Sequence, residues 1–131
     1  MVIDTSALLA LLFGEPEARA MATALAEDSV RLVGGPTLVE AAAVMLARKG
    51  SAGEMALDAL LQRANITVTE MTPAAADSAR DAYARYGKGV GSPAVLNYGD
   101  CLAYGVAMTL GQPLLFKGDD FAQTDVLTAP Y

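Results

Sequence analysis

The sequence predicts an α/β fold, in which a mostly parallel sheet of four to five strands is covered by helices on both faces in three α/β/α layers. Three features predict it. Short apolar, β-prone segments alternate with longer segments of helical periodicity. Gly and Pro fall where helices should end or begin. The chain has 131 residues and is 53% hydrophobic, the size and composition of one domain with its own core. Residues 1–131 are therefore read as a single domain.

The elements follow in order. Val2–Asp4 is a short apolar strand, and Thr5 or Ser6 is suited to cap a helix through Ala7–Phe13. Gly14 ends that helix, and Pro16 suits the first turn of the next, Glu17–Glu27. Val30–Val33 reads as a second strand and Gly34–Thr37 as a turn. Thr37 and Glu40 have capping-box spacing ahead of a helix that runs to Lys49 and stops at Gly50. Ser51–Ala64 is a further helix, with Met55, Leu57, Leu60 and Leu61 at helical spacing. Ile66–Thr69 alternates apolar and polar β-branched residues and reads as a strand. Thr72-Pro73 opens a helix to Tyr86, and the Gly-rich stretch 87–93 is a loop. Asn97–Gly99 precede a helix over Asp100–Leu110, and Leu114–Phe116 is a buried strand. Gly118-Asp119-Asp120 turns the chain, and Val126–Leu127 is a short last strand.

Composition excludes several chemistries. The chain has no histidine and one cysteine, Cys101. That removes Ser-His-Asp triads, Cys-His pairs, His-based zinc sites and thiolate zinc clusters. An intramolecular disulfide is impossible, which fits a reducing compartment. The opening Met1-Val2-Ile3-Asp4 has no basic leader and no apolar run is long enough to span a bilayer, so a cytoplasmic protein is expected. Net charge is −6, from 9 Lys and Arg against 15 Asp and Glu. This argues against nucleic-acid binding through a basic face, unless carboxylates converge on bound cations where phosphate must approach.

Four acidic positions stand where such convergence is possible. Asp4 ends the first strand, Glu40 lies in the first turn after the second strand, Asp100 starts a helix, and Asp119 follows the fourth strand with Asp120 beside it. In a parallel sheet Asp4, Glu40 and Asp119 lie at its carboxyl edge, where open α/β sheets place their chemistry, and Asp100 can reach the same edge from the top of its helix. Carboxylates brought together repel one another, and a hard divalent cation such as Mg²⁺ or Mn²⁺ relieves that repulsion. Each acid also has a local structural use: Asp4 as a helix cap, Glu40 as the capping-box partner of Thr37, Asp100 as an N-cap, and Asp119 or Asp120 as a turn residue.

The motifs Val2-Ile3-Asp4-Thr5-Ser6-Ala7, Val39-Glu40, Leu96-Asn97-Tyr98-Gly99-Asp100-Cys101 and Leu114-Leu115-Phe116-Lys117-Gly118-Asp119-Asp120-Phe121 occur in this order. Together with Thr124-Asp125-Val126, they resemble the successive motifs of VapC toxins, PIN-domain ribonucleases of bacterial toxin–antitoxin pairs. The resemblance covers essentially the whole chain. It implies a PIN fold, Mg²⁺- or Mn²⁺-dependent endoribonuclease activity, and inhibition by a VapB antitoxin in a hetero-oligomer. A homodimer is also expected. Asp4, Glu40 and Asp100 match the family's strongest acidic positions, and Asp119 a variable fourth one for which Asp120 is the alternative. Thr5 or Ser6 matches a hydroxyl position beside the first acid, and Asp125 takes a supporting role.

Lesser features are Arg80, Arg85 and Lys88, a modest basic patch; Tyr83, Tyr86 and Tyr98, able to stack on bases or to pack; and an apolar surface over Leu8–Leu12 and Met21–Leu25 suited to a protein partner. Two other readings compete. A PIN-like module can bind RNA or a partner without cutting. A receiver-type phosphoacceptor needs an Asp at the end of the middle strand, where this chain has Thr69-Glu70.

Overall fold

The structure is a computed structural model that describes all of residues 1–131. Four strands form one sheet: β1 (Val2–Ile3), β2 (Leu32–Gly34), β3 (Thr67–Thr69) and β4 (Leu114–Leu115). Between them run six helices: α1 (Thr5–Phe13), α2 (Ala18–Glu27), α3 (Gly35–Lys49), α4 (Ser51–Arg63), α5 (Pro73–Tyr86) and α6 (Tyr98–Leu110). The strand order is β3-β2-β1-β4, and every pairing is parallel. The chain steps outward from β1 to β3, then crosses back to place β4 on the other side of β1. That reversal is a topological switch point, and the carboxyl end of β1 lies at it.

The two central strands are apolar throughout because both their faces are covered. Alternation sends neighbours to opposite layers. Val2, Leu114 and Phe116 pack with Tyr104, Val106 and Phe121 under α5 and α6. Ile3, Val33 and Leu115 pack with Leu8, Met21 and Leu57 under α1, α2 and α4. The edge strand β3 is more polar, with Val68 exposed to solvent. A Cβ on Gly105 would collide with the Ala75 carbonyl, so this glycine lets α5 and α6 lie close together.

Four local expectations are corrected. The cap of α1 is Asp4, not Thr5 or Ser6. The Thr37–Glu40 capping box does not form, because α3 already begins at Gly35 with Pro36 in its first turn. Proline removes one of the first-turn N–H groups that a cap would otherwise serve, and no side chain caps this helix. The last long helix starts at Tyr98 rather than Asp100, with Asn97 as its cap. Val126–Leu127 forms no strand; the chain only touches β4 through one parallel bridge, Leu114 to Thr128. It is pulled into turns there by Thr124, whose hydroxyl donates to Phe121 O (2.7 Å) and accepts from Val126 N (3.3 Å).

Candidate active site

The site is built at the carboxyl end of β1. Asp4 leaves that strand and caps α1, so its side chain is held under the first turn of the helix and is only 2% exposed. Its Oδ2 accepts from Ser6 N (2.9 Å) and Ser6 Oγ (2.6 Å). Ser6 Oγ in turn accepts from Lys117 N (3.0 Å). One serine thus ties the first acid to the end of β4.

Thr5 serves the second acid. Its hydroxyl donates to Glu40 Oε1, reaching from α1 to α3. The other side of the Glu40 carboxylate lies against the backbone of Gly99, where any Cβ would collide with it. Glycine at that point lets the Glu40 carboxylate lie against the first turn of α6.

Asp100 is the third position of α6 and belongs to a reciprocal capping box. Asp100 N donates to Asn97 Oδ1 (2.8 Å), and Asn97 N donates to Asp100 Oδ2 (2.9 Å). The carboxylate is thereby fixed at the top of α6, partly buried.

The electrostatics follow from this placement. Burial pushes the Asp4 carboxyl up to about 6, partly opposed by the two Ser6 hydrogen bonds, and the charges of Asp100 and Glu40 push it further. Burial also raises Asp100, opposed by the Asn97 N–H and reinforced by the charges of Glu40 and Asp120. Every ion pair of the protein involves other carboxylates: Asp28, Asp77, Asp81, Asp125, Glu15 and Glu17. None of Asp4, Glu40 and Asp100 therefore has a basic partner.

The remaining expected residues divide. Asp119 and Asp120 are both exposed in the turn after Lys117-Gly118. It is the charge of Asp120 that acts on Asp100. Asp125 is held elsewhere, accepting from the Tyr104 hydroxyl (2.6 Å) and from Arg85 (2.9 Å). Lys117, whose backbone N–H binds Ser6, has its own charge ion-paired with Glu15 and Glu17. Gly99 and Asn97 were not among the expected site residues. The Asn97-x-x-Asp100 spacing carries a capping signal, whereas nothing local to Gly99 announces its contact with Glu40.

No three acidic side chains form a ready-made cage around one point as their rotamers stand. The chemistry of the donor set nevertheless fits a hard divalent cation. It offers oxygen donors only, two of the acids are raised by burial and further by neighbouring negative charge, and hydroxyl and backbone donors fix each carboxylate from behind.

Comparison with known proteins shows the family and the fold. Residues 1–127 match the PIN domain. The chain is 48% identical over 128 residues to Ribonuclease VapC30 of Mycobacterium tuberculosis, covering 98% of this chain and 97% of that one. It is 48% identical over 126 residues to Ribonuclease VapC of Mycolicibacterium smegmatis, covering 96% and 97%. Among solved structures, VapC20 of M. tuberculosis, described as a sarcin–ricin loop cleaving toxin, superposes with a TM-score of 0.78 at 16% identity, over 99% of this chain and 98% of that one. A toxin–antitoxin complex from Klebsiella pneumoniae gives 0.74 at 20% identity, over 99% and 97%. These two show the shared fold. By its full-length match to the PIN domain and to the mycobacterial ribonucleases, this chain belongs to the VapC family of PIN-domain proteins.

Proposed function

We propose that the protein is a metal-dependent endoribonuclease and the toxin of a VapBC-type pair. The observation that carries this is the group Asp4, Glu40 and Asp100 at the switch point: the charges of Asp100 and Glu40 act on Asp4, that of Glu40 acts on Asp100, and none of the three has a basic partner. These three would hold Mg²⁺ or Mn²⁺, with Asp120 or Asp119 as the fourth acid. The influence of Asp120 on Asp100 favours Asp120. A bound divalent ion lowers the pKa of coordinated water and stabilises charge developing on a phosphodiester. Ser6 and Thr5 keep Asp4 and Glu40 from swinging away, and Asn97 does the same for Asp100. Hydrolysis of RNA would leave a 5′-phosphate and a 3′-hydroxyl.

Partners follow from the same reading. A groove of about 240 Å³ between α1, α2 and α4 is lined by Leu11, Ala22, Leu25, Leu60 and Ala64, with Arg63 at its edge. It suits an amphipathic segment of a VapB-type antitoxin. An antitoxin Arg reaching the unpaired carboxylates would supply the missing positive charge and silence the site. A homodimer and a toxin–antitoxin hetero-oligomer are consistent with this arrangement. No helix is long and apolar enough to cross a membrane, and the proposed place of action is the cytoplasm.

The test is cleavage of a mixed cellular RNA pool by antitoxin-free protein with Mg²⁺, Mn²⁺ or EDTA. Discrete products that require metal are expected, with 5′-phosphate ends. RNA left intact by folded protein at every Mg²⁺ and Mn²⁺ concentration, together with normal growth on expression, contradicts the proposal and favours a binding-only PIN module.

A further inference from the structure

Four of the five tyrosines fall into two groups. Tyr86 and Tyr104 are committed to the fold: their ring centroids lie 6.2 Å apart, Arg85 sits 4.6 Å over Tyr86, and the Tyr104 hydroxyl is bound to Asp125. Tyr83 and Tyr98 have no such partners. Neither hydroxyl makes a hydrogen bond within the protein, and neither ring packs on another aromatic ring. Tyr98 is 74% exposed and Tyr83 44% exposed. Both line one cleft of about 430 Å³ between α5 and α6, floored by Met71, Ala79 and Leu102, with Arg80 at the rim.

This cleft adjoins the Glu40 side of the acidic site. Tyr98 and Leu102 also wall a second cleft, of about 320 Å³, that contains Glu40 and Gly99. Tyr98 cannot drift from the carboxylates, because it stands between Asn97 and Asp100 inside their capping box. Arg80 pairs only with Asp77, and both side chains are almost fully in water. An ion pair of that kind contributes little and is readily exchanged for a phosphate.

We propose that the α5–α6 cleft is a base-accepting subsite: an unpaired nucleobase of the RNA, next to the phosphate at the carboxylates, stacks on Tyr98 and is flanked by Tyr83, while Arg80 meets the adjoining backbone. This rests on the nuclease reading for the position of the phosphate. Charge explains why stacking is needed. The chain carries −6, Lys117 is neutralised by Glu15 and Glu17, and Arg85 by Asp81 and Asp125. Phosphate contacts alone are scarce, whereas every base has a π-face to offer an exposed ring. The subsite therefore selects unpaired RNA and binds with a weak dependence on salt.

The test is fluorescence anisotropy with a labelled random-sequence RNA octamer pool in EDTA, so that binding is read without cleavage. The protein variants are Tyr98→Ala, Tyr98→Phe and Tyr83→Ala, and the control ligand is an abasic ribose-phosphate octamer. Tyr98→Ala should weaken binding by roughly tenfold, Tyr83→Ala by less, and Tyr98→Phe hardly at all. The wild type should bind the abasic oligomer about as poorly as Tyr98→Ala binds RNA. Equal binding of RNA and abasic oligomer, or no binding of the pool by the wild type, overturns the proposal. So does a Tyr98→Ala protein that keeps its RNA affinity but changes from dimer to monomer in sedimentation, which would make the cleft a self-association surface. A Tyr98 effect in EDTA without cleavage in Mn²⁺ would sustain the subsite while the nuclease reading fails.

Discussion

Asp4 and Asp125 are the same residue type under opposite electrostatics. Asp4, with Glu40 and Asp100, is buried among other negative charges, and its carboxyl is pushed up to about 6. Asp125 accepts from Tyr104 and Arg85, and its carboxyl is held below the usual range, first by the Tyr104 hydroxyl and then by the Arg85 guanidinium. Asp125 brings its own partners and joins α5, α6 and the C-terminal segment. The acids at the end of β1 are fixed in place by neutral donors but are not neutralised. A folded chain tolerates such repulsion where something from outside relieves it.

The largest expected effect is on activity. Asp4→Asn or Asp100→Asn should lower the initial rate of metal-dependent RNA cleavage by roughly a thousandfold, the scale of several kcal/mol of charge stabilisation. Rates within a few-fold of the wild type would break the contrast between the two regions. Gly99→Ala should act more gently, by displacing the Glu40 carboxylate rather than removing it. A loss of about 10–100-fold in Mn²⁺ affinity or rate is expected, as for other changes behind a metal ligand.

Stability should move the other way. The folded-state value of Asp4, about 6, exceeds its ordinary value of 3.8. Folded protein therefore binds more protons between those limits, and stability falls as pH rises through them. In metal-free protein the destabilisation is absent below about pH 4 and complete above about pH 6, on the order of 2–3 kcal/mol. Urea titrations should show Asp4→Asn more stable than the wild type at pH 7 and above, with the gain vanishing near pH 4. The smallest effect belongs to the other region. Tyr104→Phe should cost about 1 kcal/mol of stability, one hydrogen bond, and leave the cleavage rate nearly unchanged.

Much of this was legible in the residues. A strand that runs into Asp4, with hydroxyls at Thr5 and Ser6, marks a strand-to-helix turn and its acid at once. The alternation of strands and helices announces a parallel sheet, because parallel strands need crossovers. The order β3-β2-β1-β4 was not legible, since it is set by packing between distant segments. The same limit hid Gly99, whose role exists only because α3 and α6 meet. The Thr37–Glu40 spacing pointed to a cap, but Pro36 had already started the helix, which left Glu40 free to reach Thr5. Spacing does not choose between Asp119 and Asp120, which share one short exposed loop.

The central claim is that Asp4, Glu40 and Asp100 are held together for a divalent cation. Thermal unfolding at pH 7.5, with Mn²⁺ or with EDTA, tests it in the wild type and in Asp4→Asn. The account predicts that Mn²⁺ raises the midpoint of the wild type and leaves Asp4→Asn where it stands in EDTA. An equal rise in both proteins, or none in either, would contradict it.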